Sequence, residues 1–454
     1  MTLIGKLATF LQDFSDRNVF MLKGYAGTGK TTIVHALVKV LADCDKSAIL
    51  LAPTGRAAKV LSNYSGHPSY TIHKKIYIPK ISKEGALYLT LVENRHKETL
   101  IIVDEASMIQ DDSQPNEYAL FSSRNILEDL FQYVYQGKNC KLLLIGDTAQ
   151  LPPVGLDISP ALDLEYLRSS FSIDIIDCEL TEVVRQAETS GILANATTLR
   201  SNIGKKKIQA PFFSLKDYSD IERINGQDLE DALNDVYSKY ERNNTVIITR
   251  SNKRANIYNQ EIRHRIFFLE HEITAGDQLM VVKNNYFWLP KDSKAGFIAN
   301  GDIIELLRIN KIEEMYGFRF ADVIFRMVDY QVETEIEGKI MLNTLMAESP
   351  ALPFKESKKL FDAVMEDYLE IEHKYKRILK TRNNPYLNAL QVKFSYALTC
   401  HKTQGGQWDT VFVDQGYITD KMINIEFLRW LYTAITRASK KLFLVNFSEL
   451  FFKD

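Results

Sequence analysis

The run Gly24-Tyr-Ala-Gly27-Thr-Gly29-Lys30-Thr31 constrains this chain more than any other stretch. It follows the apolar run VFMLKG (19–24) and precedes the helical pattern IVHALVKVLA. A glycine-rich turn between a buried strand and a helix lets backbone N–H groups wrap phosphates at the helix N-terminus. In that pattern Lys30 reaches the outer phosphates and the Thr31 hydroxyl ligates Mg²⁺. The chain must therefore build a strand–loop–helix nucleotide site.

Three more apolar runs end in polar or turn residues: AILLAP (48–53), LIIVDE (100–105) and KLLLIGD (141–147). Such runs suit strands buried on both faces of a parallel sheet. Asp104 and Glu105 then stand at a strand end, where one acid holds Mg²⁺ and its neighbour activates water. Gln150 follows the next run and is placed to orient water or sense the γ-phosphate. The stretch 75–98 interrupts this rhythm and reads as a projecting β-hairpin.

A second alternating stretch begins at TVIITR (245–250) and resumes at KFSYALT (393–399), DTVFVD (409–414) and KKLFLVN (440–446). Between them, from Gly276 to about Met346, the pattern has period two and suits an inserted antiparallel barrel. Residues 355–382 read as one long amphipathic helix, with Phe361, Val364, Tyr368, Ile371, Tyr375 and Ile378 on one stripe.

Lys plus Arg (56) nearly cancels Asp plus Glu (58), so no basic coat exists and a polyanion must bind in a local channel. Cys44, Cys140, Cys178 and Cys400 are widely spaced, which argues against a disulfide scaffold or structural zinc. The N-terminal apolar stretch is broken by Lys6, Gln12 and Asp13, so no secretory or membrane segment is expected, and the reading is cytoplasmic.

These segments together resemble the superfamily 1 nucleic-acid helicases. The wording GDTAQLPPV (146–154), PTGRAA (53–58) and TIH (71–73) is similar to the RecD/Dda branch, which moves 5′→3′. LTEVVRQ (180–186), ALTCHKTQGGQWDTVFV (397–413) and LYTAITRASKKLFLV (431–445) resemble later motifs of that family, and GDQLMVVKNNY (276–286) with NGDII (300–304) its inserted barrel. The resemblance implies an α/β fold of two RecA-like parallel-sheet domains, the P-loop NTPase fold, with a small SH3-like β-barrel and helical insertion in the second. The expected boundaries are 1–175 for the first domain, 176–275 with 387–454 for the second, and 276–386 for the insertion.

It also implies ATP and Mg²⁺ as cofactors. Lys30, Glu105, Gln150, Arg185 and Arg437 would be catalytic, with Thr31 and Asp104 at the metal. Gly24, Gly27, Thr28, Gly29, Thr32 and Gly405 would join the nucleotide site. Pro53, Thr54, His73, Arg250, Asn252, His401, Lys402 and Thr403 would line a DNA path. Expected partners are single-stranded DNA and duplex junctions, with repair or replication proteins, and no membrane. Tyr77 to Glu93 would form a strand-separating pin, supported by the long helix. Family members carry an adenine-gripping glutamine well upstream of the phosphate loop, whereas Gln12 lies too close to Gly24 to match it. The alternatives are a translocase or accessory motor that does not unwind, and a DNA-binding protein with a degenerate ATPase.

Overall fold

A computed structural model describes residues 2–13, 18–81, 87–111, 124–182, 190–205, 208–216, 218–240, 242–290, 293, 297–328 and 335–452. The first lobe contains β1 (Asn18–Gly24), β2 (Ser47–Ala52), β3 (Ser69–Thr71), β4 (Tyr77–Ile81), β5 (Leu87–Leu91), β6 (Thr99–Val103), β7 (Lys141–Gly146) and β8 (Asp174–Leu180). Six of these form one sheet in the order β3-β2-β6-β7-β1-β8. Every pairing in it is parallel. Their apolar runs are buried almost throughout because helices cover both faces, including Lys30–Asp43 and Ile126–Gln136. The carboxyl ends of β1, β2, β6 and β7 consequently share one edge, where open parallel sheets hold ligands. β8 extends this sheet to Leu180, past the boundary expected at 175.

β4 and β5 pair as a separate antiparallel hairpin. Its base is anchored by the Tyr77 hydroxyl, which donates to Asp129 Oδ2 at 2.6 Å.

The second lobe and insertion contain β9 (Ile221–Ile224), β10 (Thr245–Thr249), β11 (Gln278–Val281), β12 (Ile303–Met315), β13 (Phe318–Met327), β14 (Ile336–Met341), β15 (Leu390–Phe394), β16 (Ala397–Thr399), β17 (Trp408–Asp414) and β18 (Ala438–Val445). A second all-parallel sheet runs β16-β10-β17-β18-β9, and β11 to β15 close into a barrel. Barrel and sheet share one core, in which Leu279, Val323 and Phe325 pack with Ile247, Phe412 and Phe443.

Two expectations need correction. The run 393–399 is not one strand of the second sheet. Leu390–Phe394 pairs antiparallel with β11 in the barrel, and the chain turns at Ser395 before β16 joins the sheet. Tyr396 secures that turn: its hydroxyl accepts from Gln278 N–H and donates to Asp277 Oδ1, both at 3.1 Å. Nor is 355–382 one helix. It divides into Phe354–Glu366 and Lys374–Arg382. The intervening turn is held by tertiary bonds: Tyr316 to Asp367, Asn384 Nδ2 to the Tyr368 hydroxyl at 3.1 Å, and the Arg377 guanidinium to the Ile371 carbonyl at 2.8 and 3.0 Å. Folding back lets Leu360 and Val364 bury against Phe318, Phe320 and Met341 of the barrel. Among the described residues no helix is long and apolar enough to cross a membrane.

Arg263 and Asp277 form a wholly buried bidentate pair at 2.9 and 3.0 Å, with Arg263 also donating to the His271 carbonyl. Removing one partner strands the other charge in the core. Asp277→Ala should therefore lower the unfolding free energy by about 3–5 kcal/mol, read by chemical denaturation.

Candidate active site and nucleic-acid path

At the end of β1 the chain must reverse into a helix within five residues. Gly27 (φ 76°) and Gly29 (φ 82°) take left-handed conformations to do so. A side chain at Gly24 would meet Thr28 Oγ1 at 2.8 Å. Lys30 Nζ donates to the carbonyls of Gly24 (2.7 Å) and Tyr25 (2.9 Å), so its ammonium lies within the loop. Thr28 donates to Tyr25 O at 2.8 Å, and Thr31 and Thr32 stand in the first helical turn. A glycine-rich loop at a helix N-terminus with one ammonium inside it fits a polyphosphate.

Asp104 and Glu105 stand directly after β6. Glu105 is left-handed (φ 52°), and its N–H donates to Asp104 Oδ1 at 2.9 Å. Burial, reinforced by the Glu105 charge, pushes Asp104 up to about 6, while Lys30 pulls the other way. Burial likewise raises Asp147 at the end of β7. Two buried acids facing one lysine make a site short of positive charge, and Thr31 with Asp104 could supply oxygen ligands to a divalent cation.

The second lobe closes this edge. Its helix Ile425–Ile435 places the Tyr432 hydroxyl between two first-lobe groups: it accepts from Ala26 N–H at 2.9 Å and donates to Asp147 Oδ2 at 2.7 Å. At the next residue, Thr433 Oγ1 accepts from Leu151 N–H at 2.8 Å, and Gln404 Nε2 donates to Leu151 O at 2.7 Å. Arg200 stacks 4.0 Å from the Tyr25 ring. Arg437 is buried, bonded to the carbonyls of Thr433 (3.0 Å) and Gly406 (3.3 Å), and its Nη1 lies 4.0 Å from Glu105 Oε1. Gln150 is buried beside this seam. Gly405 (φ 72°) permits close approach of the lobes, since a Cβ there would lie 2.6 Å from that of Ala57. Arg185 lies outside the described residues.

The nucleic-acid residues gather less uniformly. Thr54 Oγ1 caps the helix Gly55–Ser65 by accepting from Ala57 N–H at 3.2 Å, with Pro53 half-buried before it. The barrel loop presses against this cap, and a Cβ on Gly55 would collide with Asp302 Oδ1. Arg56 stacks 4.0 Å over Trp408 of the second lobe. His73 packs against Tyr77 (centroids 5.6 Å apart), and burial lowers it to about 4, so it is neutral. On the short helix Cys400–Thr403, burial also lowers His401, and burial with Lys393 nearby pulls Lys402 down to about 7. Thr403 is buried, not at the surface, and donates to Cys400 O at 2.7 Å. Asn252 is spent internally, donating to Glu348 O at 2.9 Å, whereas Arg250 is exposed near the Phe427 and Trp430 rings. Asp13, next to Gln12, sits among the strand starts Asn18, Ser47, Thr99 and Lys141, at the edge opposite the phosphate loop.

Sequence reasoning missed Tyr432, Thr433 and Asp302. Tyr432 lies inside the LYTAITR segment, but nothing in the spacing says that its hydroxyl crosses between lobes.

A phosphate loop, two strand-end acids and an arginine brought from a second parallel-sheet lobe define a two-lobed P-loop motor ATPase. An AAA-domain family model matches residues 8–224, and a UvrD-like helicase C-terminal domain model matches 394–445. The chain is 24% identical to the ATP-dependent DNA helicase Dda of phage T4 over 93% of each chain. It is 22% identical to an uncharacterized mimivirus protein, R530, over 96% of this chain and 97% of that one. Against the RecD2 helicase of Deinococcus radiodurans it is 31% identical, over 42% of this chain and 22% of that protein. A solved structure of Pif1 helicases at forked duplex DNA superposes with a TM-score of 0.50 at 16% identity, over 100% of this chain and 94% of that one. On both lobes the chain is thus similar to superfamily 1 helicases of the Dda and RecD kind, and its two parallel-sheet lobes have the RecA-like fold.

Because the Tyr432 hydroxyl serves two first-lobe groups, Tyr432→Phe should leave both underpaired at constant ring packing. The expected loss is about 1–3 kcal/mol, seen as a lower thermal midpoint of the nucleotide-free protein.

Proposed function

We propose that the chain is an ATP- and Mg²⁺-dependent helicase that travels 5′→3′ on single-stranded DNA and opens duplex ahead of it. The observation carrying this reading is the approach of Arg437, from one lobe, to within 4.0 Å of Glu105 on the other. Phosphoryl transfer spreads negative charge, and a guanidinium stabilises that charge only where the lobes meet. Hydrolysis then tracks closure of the cleft.

In this reading Lys30 and the loop amides hold the phosphates, with Gly405 and Gln150 at the seam. Thr31 and Asp104 would hold Mg²⁺, which when bound would supply positive charge against the phosphates. Glu105 takes the proton of the attacking water, and Arg185 acts as a second arginine beside Arg437. Changing grip on the strand by the two lobes converts closure into steps. Each base-pair step costs on average about 1.4 kcal/mol of stacking, within reach of a motor carrying a rigid wedge. In this reading the hairpin of β4 and β5 serves as that wedge.

For the strand itself, Pro53, Thr54, His73, His401 and Lys402 border a path over both lobes, with Arg250 exposed beside it. Such contacts position a backbone without reading bases. The internal bonds of Asn252 and Thr403 argue that these two act by shaping that surface.

Glu105→Gln and Lys30→Ala should each abolish DNA-stimulated phosphate release while leaving single-strand binding within about threefold. The deciding assay is strand separation on forks with a 5′ or a 3′ tail. Unwinding only from the 5′ tail is expected. Strand-stimulated hydrolysis without unwinding would instead mark a translocase.

Lys402 gives a pH test. Its charged form is the one that meets phosphate, and with a pKa of about 7 that form dominates below pH 7 and disappears above it. Single-strand affinity should thus weaken as pH rises from 6 to 9, by at most about tenfold per unit above 7. Lys402→Met should flatten that dependence.

A further inference from the structure

A cavity of about 50 Å³ adjoins Gln150 at the seam between the lobes, with Ser107, Asp147, Ser159 and Arg429 in its wall. Four side-chain atoms of its lining are buried and hydrogen-bond no other group of the protein: Ser107 Oγ, Gln150 Oε1, Ser159 Oγ and Arg429 Nε. Buried polar atoms are nearly always paired, so four around one small space point to a common ligand.

Their chemistry narrows what that ligand is. Arg429 Nε–H only donates, Gln150 Oε1 only accepts, and the two serine hydroxyls do either. A cation would face a guanidinium, and an anion would face the Asp147 carboxylate and the amide oxygen. An apolar group would leave all four atoms unmet. Water both donates and accepts, and one molecule needs roughly 10–15 Å³ of such space.

We propose that this cavity is a built water site, and that water held there ties the Gln150 amide oxygen to Arg429, making Arg429 a positioning residue for Gln150. Arg429 belongs to the helix Ile425–Ile435 and shares a face with Tyr432 and Thr433 at spacings of three and four, both bonded to the first lobe. Its Nη1 donates to the Asp157 carbonyl, which holds the guanidinium against the first lobe, while Nε is buried without a protein partner in a residue of the cavity wall. With its oxygen held on that side, Gln150 keeps its amide N–H groups for the nucleotide side. Withdrawal of the second lobe removes Arg429 and releases that orientation. The inference rests on the role given to Gln150 above.

The test uses the full chain with single-stranded DNA and compares Arg429→Met, Arg429→Lys, Gln150→Ala and the Gln150→Ala/Arg429→Met double variant, each first checked by thermal unfolding. Arg429→Met should lower the kcat for ATP about tenfold, the size of one hydrogen bond to a charged group. The KM for ATP should stay within roughly twofold. Arg429→Lys, which restores a donor, should recover most of the loss, and the double variant should be no slower than Gln150→Ala alone. Wild-type rates in Arg429→Met, or losses that multiply in the double variant, would overturn the proposal. Should Arg429→Met not fold, a high-resolution crystal structure of the wild type decides. A water peak within about 3.2 Å of both Gln150 Oε1 and Arg429 Nε is expected, and a dry cavity overturns the proposal. An inactive wild type that shows this water would count against the helicase reading and not against the site.

Discussion

The seam between the two lobes concentrates acid, and the rest of the structure answers to that fact. Asp104, Glu105 and Asp147 stand at neighbouring strand ends, with Lys30 as the cation between them. Isolated in a dry interior, such a cluster would be costly. It is tolerable because each acid has a specific answer. Asp104 accepts the Glu105 amide, Asp147 accepts Tyr432 and the Ala149 amide, and Arg437 approaches Glu105. Two of these answers come from the second lobe. Closing the lobes thus completes the electrostatics of the site, and parting them exposes it to water.

That closure has a geometric cost, met with small residues and left-handed turns. Gly405 meets Ala57, and Gly55 leaves room for the Asp302 carboxylate of the barrel loop. The helix Gly55–Ser65 is consequently touched by the barrel through Asp302 and by the second lobe through Arg56 on Trp408. A movement of either neighbour is felt at Thr54, which caps that same helix. The barrel shares its core with the second sheet, so the two are held together.

Much of this was legible in the amino-acid string. Strands buried on both faces announce themselves as unbroken apolar runs, and the phosphate loop as glycines at fixed offsets. The family resemblance supplied Arg437, whose type alone says nothing. The failures share a physical cause, which is tertiary override of local pattern. The stripe across 355–382 is continuous, yet bonds from Tyr316, Asn384 and Arg377 fold it in two. The run KFSYALT (393–399) reads as one strand, yet Tyr396 secures a turn that hands its two halves to different sheets. Tyr432 and Arg429 were invisible because partners 285 and 272 positions away leave no periodic trace.

Those distant partners also explain how one helix can report on the nucleotide. Tyr432 bonds the phosphate-loop amide of Ala26, Thr433 bonds the chain just after Gln150, and Arg437 follows the same helix toward Glu105. Hydrogen bonds weaken steeply with distance and angle. A shift of an ångström in the helix breaks contacts with the phosphate loop, the Gln150 segment and Glu105 together. Packed interfaces are bistable and do not deform continuously, so this set is made or lost as a unit. A polymer contacting both lobes and their shared helix therefore acts on hydrolysis through one rigid body, without any contact to the nucleotide itself.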